Sequence, residues 1–516
     1  MCWFYQRSGW KVTNFLIRCE LNFVESVGSK RIKVISAEDI SLVWFRDDLR
    51  LSANPALNAA ADAGKPILCF YLLNENDEQH RLLGGAKRWW LDKSLRALSK
   101  KIENLGGKLF LQRNKNRSTA DVLLDVCKAQ NVKLVFWNRR YSTSETDIDK
   151  SVKSALNDAG HTPSSFSGSL LKEPWEVKTN SGNPYKVFTP FWNALKPDFQ
   201  PNHPDGIPEC SFFSDFECDD LQDWALHPTK PDWSDGLGEA WMPGEDGAKA
   251  CLETFFDEGL KGYKEKRDRP DLPNTSRLSP YLSFGEISVH EIWSRTLQKI
   301  SETPELESDG WAFLRELAWR DFSYSLLFQS QDLSTDNWND KFDGFPWEKN
   351  ETCLTAWQKG QTGYPIVDAG MRELWTTGWI HNRVRMIVAS FLIKHLMIDW
   401  RTGEEWFWDT LVDADTANNP ASWQWVAGSG ADASPYFRIF NPITQGEKFD
   451  PDGVYIRKWV PELSKLPKKY LFEPWDTPRD VQKECGVLIG HDYPKPIVIH
   501  KQARQRALDA YESLNT

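Results

Sequence analysis

Beginning at Ser41 the chain alternates short apolar, β-rich runs with longer amphipathic stretches. The runs fall at Ser41–Phe45, Ile67–Leu72, Lys108–Leu111 and Lys133–Trp137. Between them, Asn54–Ala63, Ala86–Leu105 and Ala120–Ala129 carry apolar residues at helical spacing. Strands alternating with helices predict a parallel sheet with right-handed crossovers, a Rossmann-like α/β region over residues 41–172. From 173 to 245 the periodicity fades and Pro, Asp, Asn, Ser and Trp dominate, which predicts a connector lying over the surface. From 246 to 512 the pattern is helical nearly throughout. Examples are Ala248–Leu260, Val289–Ile300, Gly310–Gln329, Ala369–Trp375, Arg383–Met397 and Glu404–Leu411, so an all-α region is expected. Residues 1–40 are aromatic and basic but lack a clean apolar core with a small-residue cleavage site. They are expected to be an extension outside the fold.

Composition narrows the classes. A chain of 516 residues, two fifths hydrophobic, can build a large core over several domains. The net charge of −10 argues against nonspecific nucleic-acid binding, although a local basic patch can override it. Nine cysteines stand singly, with no CxxC and no Cys/His group at zinc spacing, so a reduced compartment and no metal are expected. No apolar run reaches the length of a membrane span.

The chemistry concentrates late in the chain. Tryptophans crowd the stretch from Trp357 to Asp450, where NNPASWQW and GWIHNRVRM mix indoles with amides and arginines. Amides and guanidinium groups are costly to bury without partners, so a core alone does not explain the mixture. It suggests a pocket for a flat, polar-edged, partly anionic molecule. Earlier, Tyr263 and Thr275-Ser276-Arg277-Leu278-Ser279 offer hydroxyls near a helix start, which suit either phosphate or an ordinary cap. Glu316, Trp319 and Arg320 share one helical face, either as a solvated ion pair or as a cleft wall. Asn382, Arg383 and Met386 recur on adjacent turns, with His381 expected to be structural. Asp413 and Asp415 lack the glycine and closing glutamate of a calcium loop. No Walker loop, nucleophile elbow or zincin motif occurs, which points to chemistry carried by a bound cofactor.

Several of these segments, with GYKEKR, TSRLSPYLSFG, ELAWRDF, TGYPIVDAGMREL and DASPYFRIFNPITQGEKFDPDG, appear in the order found in the DNA photolyase/cryptochrome family, and the chain resembles that family from Ser41 to Arg504. The resemblance implies FAD in the helical region, held by Tyr263, Thr275, Ser276, Arg277, Leu278, Ser279, Phe313, Arg385, Asp413, Ala414, Asp415 and Asn419. Asn419 would stand near the flavin N5, where a neutral amide tolerates flavin in more than one redox state. Trp347, Trp400 and Trp423 take the positions of the family's electron relay. Lys266, Arg267, Glu316, Trp319, Arg320, Asn382, Arg383, Met386 and Trp425 match the face that meets a cyclobutane pyrimidine dimer extruded from DNA. Trp319 and Trp425 would be its aromatic walls. Glu316 would hydrogen-bond the dimer, either protonated or through water. Excited FADH⁻ would donate an electron, the ring would split, and the electron would return.

Within the family, Asn382 and Met386 stand where six-four enzymes and animal-type cryptochromes carry histidines. Asn419 replaces the aspartate of plant-type cryptochromes, and both wall indoles are present. These departures favour dimer repair, with a blue-light photoreceptor lacking repair activity as the alternative. The implied partner is UV-damaged DNA and the implied setting a monomer in a bacterial-type cytoplasm. The α/β region of the family often holds an antenna chromophore. Glu145 falls where a folate-contacting acid could stand, so methenyltetrahydrofolate is expected, with a deazaflavin as the other option.

Overall fold

A computed structural model describes residues 39–75, 81–201, 206–330, 332–432 and 437–514. The expectation for residues 1–38 lies outside the described residues. Five parallel strands form one sheet in the order β3-β2-β1-β4-β5: β1 Ile40–Phe45, β2 Ile67–Leu73, β3 Leu109–Arg113, β4 Val132–Asn138 and β5 Thr162–Phe166. β1 is central, pairing with β2 through Val43–Cys69 and with β4 through Leu42–Val135. β1 and β2 are buried along their whole length, which is why both read as unbroken apolar runs. Side chains alternate between the two faces. Leu42, Trp44, Leu68 and Phe70 pack under helices α3 (Thr119–Ala129) and α4 (Thr143–Asp158). Val43, Phe45, Cys69 and Tyr71 pack under α1 (Pro55–Asp62) and α2 (Gly85–Asn104), in a core that continues into the helical half. The α/β expectation holds. The edge strand β5 and helix α4 escaped the pattern because TPSSF is too polar to stand out and α4 buries only a narrow apolar stripe.

The segment 173–245 differs from the expected surface connector. It carries helices at Phe188–Asp198 and Asp235–Ala240, and Phe188, Phe191, Trp224 and Trp241 are buried. Ser211 and Phe213 bond the backbone of Ile67, forming a short parallel bridge at the start of β2. Two helices of the second half, Glu245–Thr254 and Asn382–Ser390, run into single π-type turns at Phe255–Gly259 and Phe391–His395. The helix Asn418–Ala427 lies within the expected all-α region but does not stand out in the sequence, because NNPASWQW lacks a clear apolar stripe.

Polar groups lock the sheet to the helices. Arg50 is fully buried and donates to the carbonyls of Gly285 and Gly168 at 2.9 and 2.8 Å. Gly285 has φ +58°, and a Cβ there would run into the Asp47 carbonyl, so the close approach requires glycine. Beside it, Glu286 accepts from Trp90 Nε1 at 3.2 Å, from the Gly244 amide at 2.8 Å and from Ser94. Burial pushes this carboxyl up to about 8, against those three donors, which favour the ionised form. Unfolded, it titrates near 4.5. The folded protein therefore holds the proton more tightly. The resulting stabilisation is complete below the unfolded value and is lost as pH rises through the folded one. Between about pH 5 and pH 8, the melting temperature of Glu286→Gln should fall less with rising pH than that of the unsubstituted protein. Parallel curves would show that this carboxyl does not carry the linkage.

Candidate functional site

The stretch Asp413–Asn419 organises the helical half. Asp415 precedes the helix Asn418–Ala427 and closes its start. Its Oδ1 accepts from the amides of Ala417 and Asn418 at 2.9 and 2.6 Å and from Asn418 Nδ2 at 2.9 Å. Its Oδ2 accepts from the Tyr324 hydroxyl at 2.7 Å. Burial alone would raise this carboxyl, but nearby Arg320 together with the Tyr324 and Asn418 donors outweighs it and holds it below the usual aspartate range. Asp413 has a different partner. Arg385 grips it with both terminal nitrogens, at 3.1 and 2.8 Å, while Arg385 Nε donates to the Ile380 carbonyl at 2.7 Å. Asn419 is turned toward Glu404, to which its amide donates.

The loop Thr275–Ser279 lies by a second aromatic group. Arg277 adopts the left-handed backbone region at φ +52°, unusual for a non-glycine residue. Its guanidinium sits 4.2 Å from the Trp241 ring centroid and 5.5 Å from that of Trp379. Trp379 Nε1 in turn donates to Ser279 Oγ at 3.2 Å. Thr275 and Ser276 are half-buried, Leu278 is buried, and Cys251 donates to the Ser276 carbonyl. Tyr263 and Phe313 are buried edge to face, 5.6 Å apart.

The face expected to meet a lesion comes together in part. Arg267 forms an ion pair with Glu316, one contact being 2.8 Å, so a guanidinium occupies the carboxylate that was expected to carry a proton or a water. Asp268 holds Arg383 at 2.7 Å, and Arg383 reaches Met386 Sδ at 3.6 Å. Asn382 and Lys266 are exposed. Trp319 is half-buried and stacks on Phe188 at 3.6 Å with the rings nearly parallel. Trp425 is half-buried against the second core. Arg320 departs from expectation. It donates to the Ser169 carbonyl at 2.7 Å and lines an internal cleft, so it is not part of the face that Glu316 occupies. The reason is the helix itself: consecutive turns of Glu307–Gln329 face different neighbours, and Arg320 lies toward the sheet. Asp268 and Phe188 were missed. Asp268 is hidden among the charges of KEKRDRP, and Phe188 lies in the segment read as a connector.

The three tryptophans expected to form a relay grade outward. Trp423 and Trp400 are buried, and Trp347 is half-buried against Phe345 at 4.3 Å. Trp423 is held edge to face by Phe407 at 4.9 Å and Trp357 at 6.4 Å, and Trp400 Nε1 donates to Asn337 at 2.9 Å.

A cleft of about 100 Å³, which Asp415 also lines, opens at the C-terminal ends of β1 and β4, where the strand order reverses. Arg81, Lys87, Arg140, Tyr141, Arg320 and Tyr324 line it. Glu145 also lines it, but its carboxylate is engaged by Ser142 in the cap of α4, at 2.6 Å from the hydroxyl. Among the described residues no group of acids, histidines and cysteines could hold a metal, and no helix is long and apolar enough to cross a membrane.

A sheet with this strand order, joined to a helical half built around buried indoles, arginines and amides, is shared with known proteins. Residues 41–209 match the family model for DNA photolyase, and 313–513 match that for the FAD binding domain of DNA photolyase. The chain belongs to the DNA photolyase family. It is 51% identical to the deoxyribodipyrimidine photo-lyase of Agrobacterium fabrum over 92% of this chain and 98% of that one. It is 36% identical to cryptochrome-1 of Arabidopsis thaliana over 92% of this chain and 70% of that one. The solved class III photolyase of Agrobacterium tumefaciens superposes with a TM-score of 0.89 at 49% identity, covering 94% of this chain and all of that one. The residues present fit FAD. Hydroxyls and the strained Arg277 backbone offer donors to a pyrophosphate. The Asn419 amide and the Arg385–Asp413 pair offer polar groups to a heterocycle edge.

Gly403 tests the packing of this site. It lies inside the helix Trp400–Thr410, where alanine ordinarily stabilises by about 1 kcal/mol. Here a methyl would overlap the Trp423 ring and Leu392. Gly403→Ala should therefore destabilise by about 1–3 kcal/mol in urea titration. A gain in stability would show that Trp423 is free to move.

Proposed function

We propose that the protein repairs cyclobutane pyrimidine dimers in UV-damaged DNA, driven by light, with FAD in its helical half. The observation that carries this reading is the joined set Arg267–Glu316 and Asp268–Arg383–Met386, on a face that also presents Asn382. No histidine stands at positions 382 and 386, and the similarity to a deoxyribodipyrimidine photo-lyase supports the same substrate.

Tyr263, Thr275–Ser279, Phe313, Arg385, Asp413–Asp415 and Asn419 hold the cofactor. FAD, bound and reduced, supplies the electron when it absorbs near-ultraviolet or blue light. The remaining tasks fall to the chain. Trp319 and Trp425 give apolar faces on which an extruded dimer stacks, offsetting part of the unstacking cost. Glu316 orients Arg267, whose N–H groups face charge gained by the dimer. Arg383 and Lys266 meet phosphates. Trp423, Trp400 and Trp347 pass electrons from the surface to restore the reduced cofactor. The cationic cleft takes a flat, anionic antenna molecule. Methenyltetrahydrofolate, with a planar pteridine and carboxylates, suits it, and an absorption spectrum separates it from a deazaflavin. The protein acts as a monomer in the cytoplasm.

Chemically reduced protein illuminated with dimer-containing DNA should restore the thymines, and the dark control should not. No restoration in light would overturn the proposal. Trp425→Ala should weaken binding to damaged DNA by about 1–3 kcal/mol, measured by titration. Trp400→Phe separates two roles. It should abolish photoreduction of the flavin yet leave repair by chemically reduced protein nearly intact, and equal loss of both would refute the relay.

A further inference from the structure

Asn419 is tied to the N-terminal half of the chain through one intermediary, Glu404. Its Nδ2 donates to the Glu404 backbone carbonyl at 3.1 Å and to Glu404 Oε1 at 2.8 Å. A carbonyl and a carboxylate only accept, so a flipped amide would set oxygen against oxygen. Chemistry therefore fixes the orientation, and Oδ1 faces away from Glu404. Glu404 is itself only 2% exposed. A buried carboxylate needs a charged partner, and this one comes from far away in sequence. Arg81, ahead of α2, grips it at both oxygens, 2.7 Å to Oε1 and 2.8 Å to Oε2. The same guanidinium lies 4.0 Å from the ring centroid of Trp408, one turn further along Glu404's helix. Trp408 Nε1 donates to the Leu82 carbonyl at 2.8 Å, and the Gly85 amide donates to Asp409 at 2.8 Å. Segment 81–85 is thus docked along that helix by contacts of which only Arg81 reaches Glu404.

We propose that Arg81 is a positioning residue for Asn419: by engaging both oxygens of Glu404 it commits the asparagine oxygen to the flavin edge. This rests on the FAD reading above and adds to it a contribution from the α/β half. The consequence is a bias in cofactor chemistry. Flavin N5 bears a hydrogen when reduced and a lone pair when oxidised. A fixed Oδ1 accepts from N5–H and repels the lone pair, so it favours the reduced form. Without Arg81 the Glu404 side chain is free to swing, the amide can rotate, and Nδ2 can donate to the oxidised N5. The bias then weakens.

The test measures the flavin midpoint potential of the full-length protein with FAD bound, in Arg81→Ala, Arg81→Lys and Asp409→Ala. Asp409→Ala loosens the same segment without touching Glu404. The potential should move to more negative values in Arg81→Ala and partly so in Arg81→Lys, which keeps the charge but loses the two-pronged grip. Asp409→Ala should leave it unchanged. An unchanged potential in Arg81→Ala, or an equal shift in Asp409→Ala, would overturn the proposal. If Arg81→Ala does not fold, the Lys variant decides alone: a partial negative shift supports the proposal and no shift overturns it. Unsubstituted protein that takes up no flavin would instead bring down the cofactor reading, and this proposal with it.

Discussion

The four hydrogen bonds into Asp415 are the constraint on which the site depends. A helix start leaves amide donors without partners, and burial makes them costly. Asp415 satisfies two of these amides, the Asn418 side chain and a tyrosine hydroxyl from the helix Glu307–Gln329. It thereby fixes where the helix Asn418–Ala427 begins and how it is rotated about its axis. That rotation decides three things at once. Asn419 meets Glu404, Trp423 enters the core between Phe407 and Trp357, and Trp425 is left half-buried at the rim. The carboxylate matched by motif to a cofactor contact is therefore first a structural one.

The same economy runs through the interior. Asp413 with Arg385, Glu404 with Arg81 and Asp415 with Tyr324 each pair a buried acid with a specific donor. Such pairs add little net stability over apolar packing, but losing one partner is expensive, at about 3–5 kcal/mol for a buried ion pair. They confer specificity of geometry. Each acid has one arrangement that satisfies it, and the arrangements share residues, so the polar interior has few alternatives. A pocket for a polar-edged cofactor benefits from that rigidity, because donors held in place need no reorganisation.

How much of this was legible in the sequence depends on the range of each interaction. The sheet was readable because β1 and β2 are apolar runs separated by amphipathic helices. β5 was not, since an edge strand such as TPSSF needs little apolar surface. The family motifs singled out Arg385, Asp413 and Asn419 because each lies inside a contiguous run of characteristic residues. Glu404 and Arg81 lay beyond reach. They are 323 residues apart, and each looks like an ordinary surface charge in its own segment. Arg320 was misplaced for a related reason. Helical spacing puts it on the face of Glu316, but only the packed sheet shows that the guanidinium is satisfied by Ser169 on the other side.

Charge on the exposed face follows the same logic of pairing. The chain is acidic overall, and Arg267 and Arg383, the cations nearest Glu316 and Met386, are each held by an acid. On the proposed reading, a phosphate engages Arg383 by competing with Asp268 while Arg267 stays with Glu316, so counterion release contributes less than two free arginines would give. An undamaged duplex offers little beyond phosphates to such a surface. On that reading, an extruded dimer also brings apolar ring faces to Trp319 and Trp425, and it costs less to extrude than intact paired bases. Pairing the arginines in the free protein therefore lowers affinity for all DNA alike but leaves the stacking gain intact. On the same proposed reading, the ratio of lesion binding to background, the quantity that matters when damaged sites are rare among intact ones, is then set by stacking and extrusion and not by these paired charges.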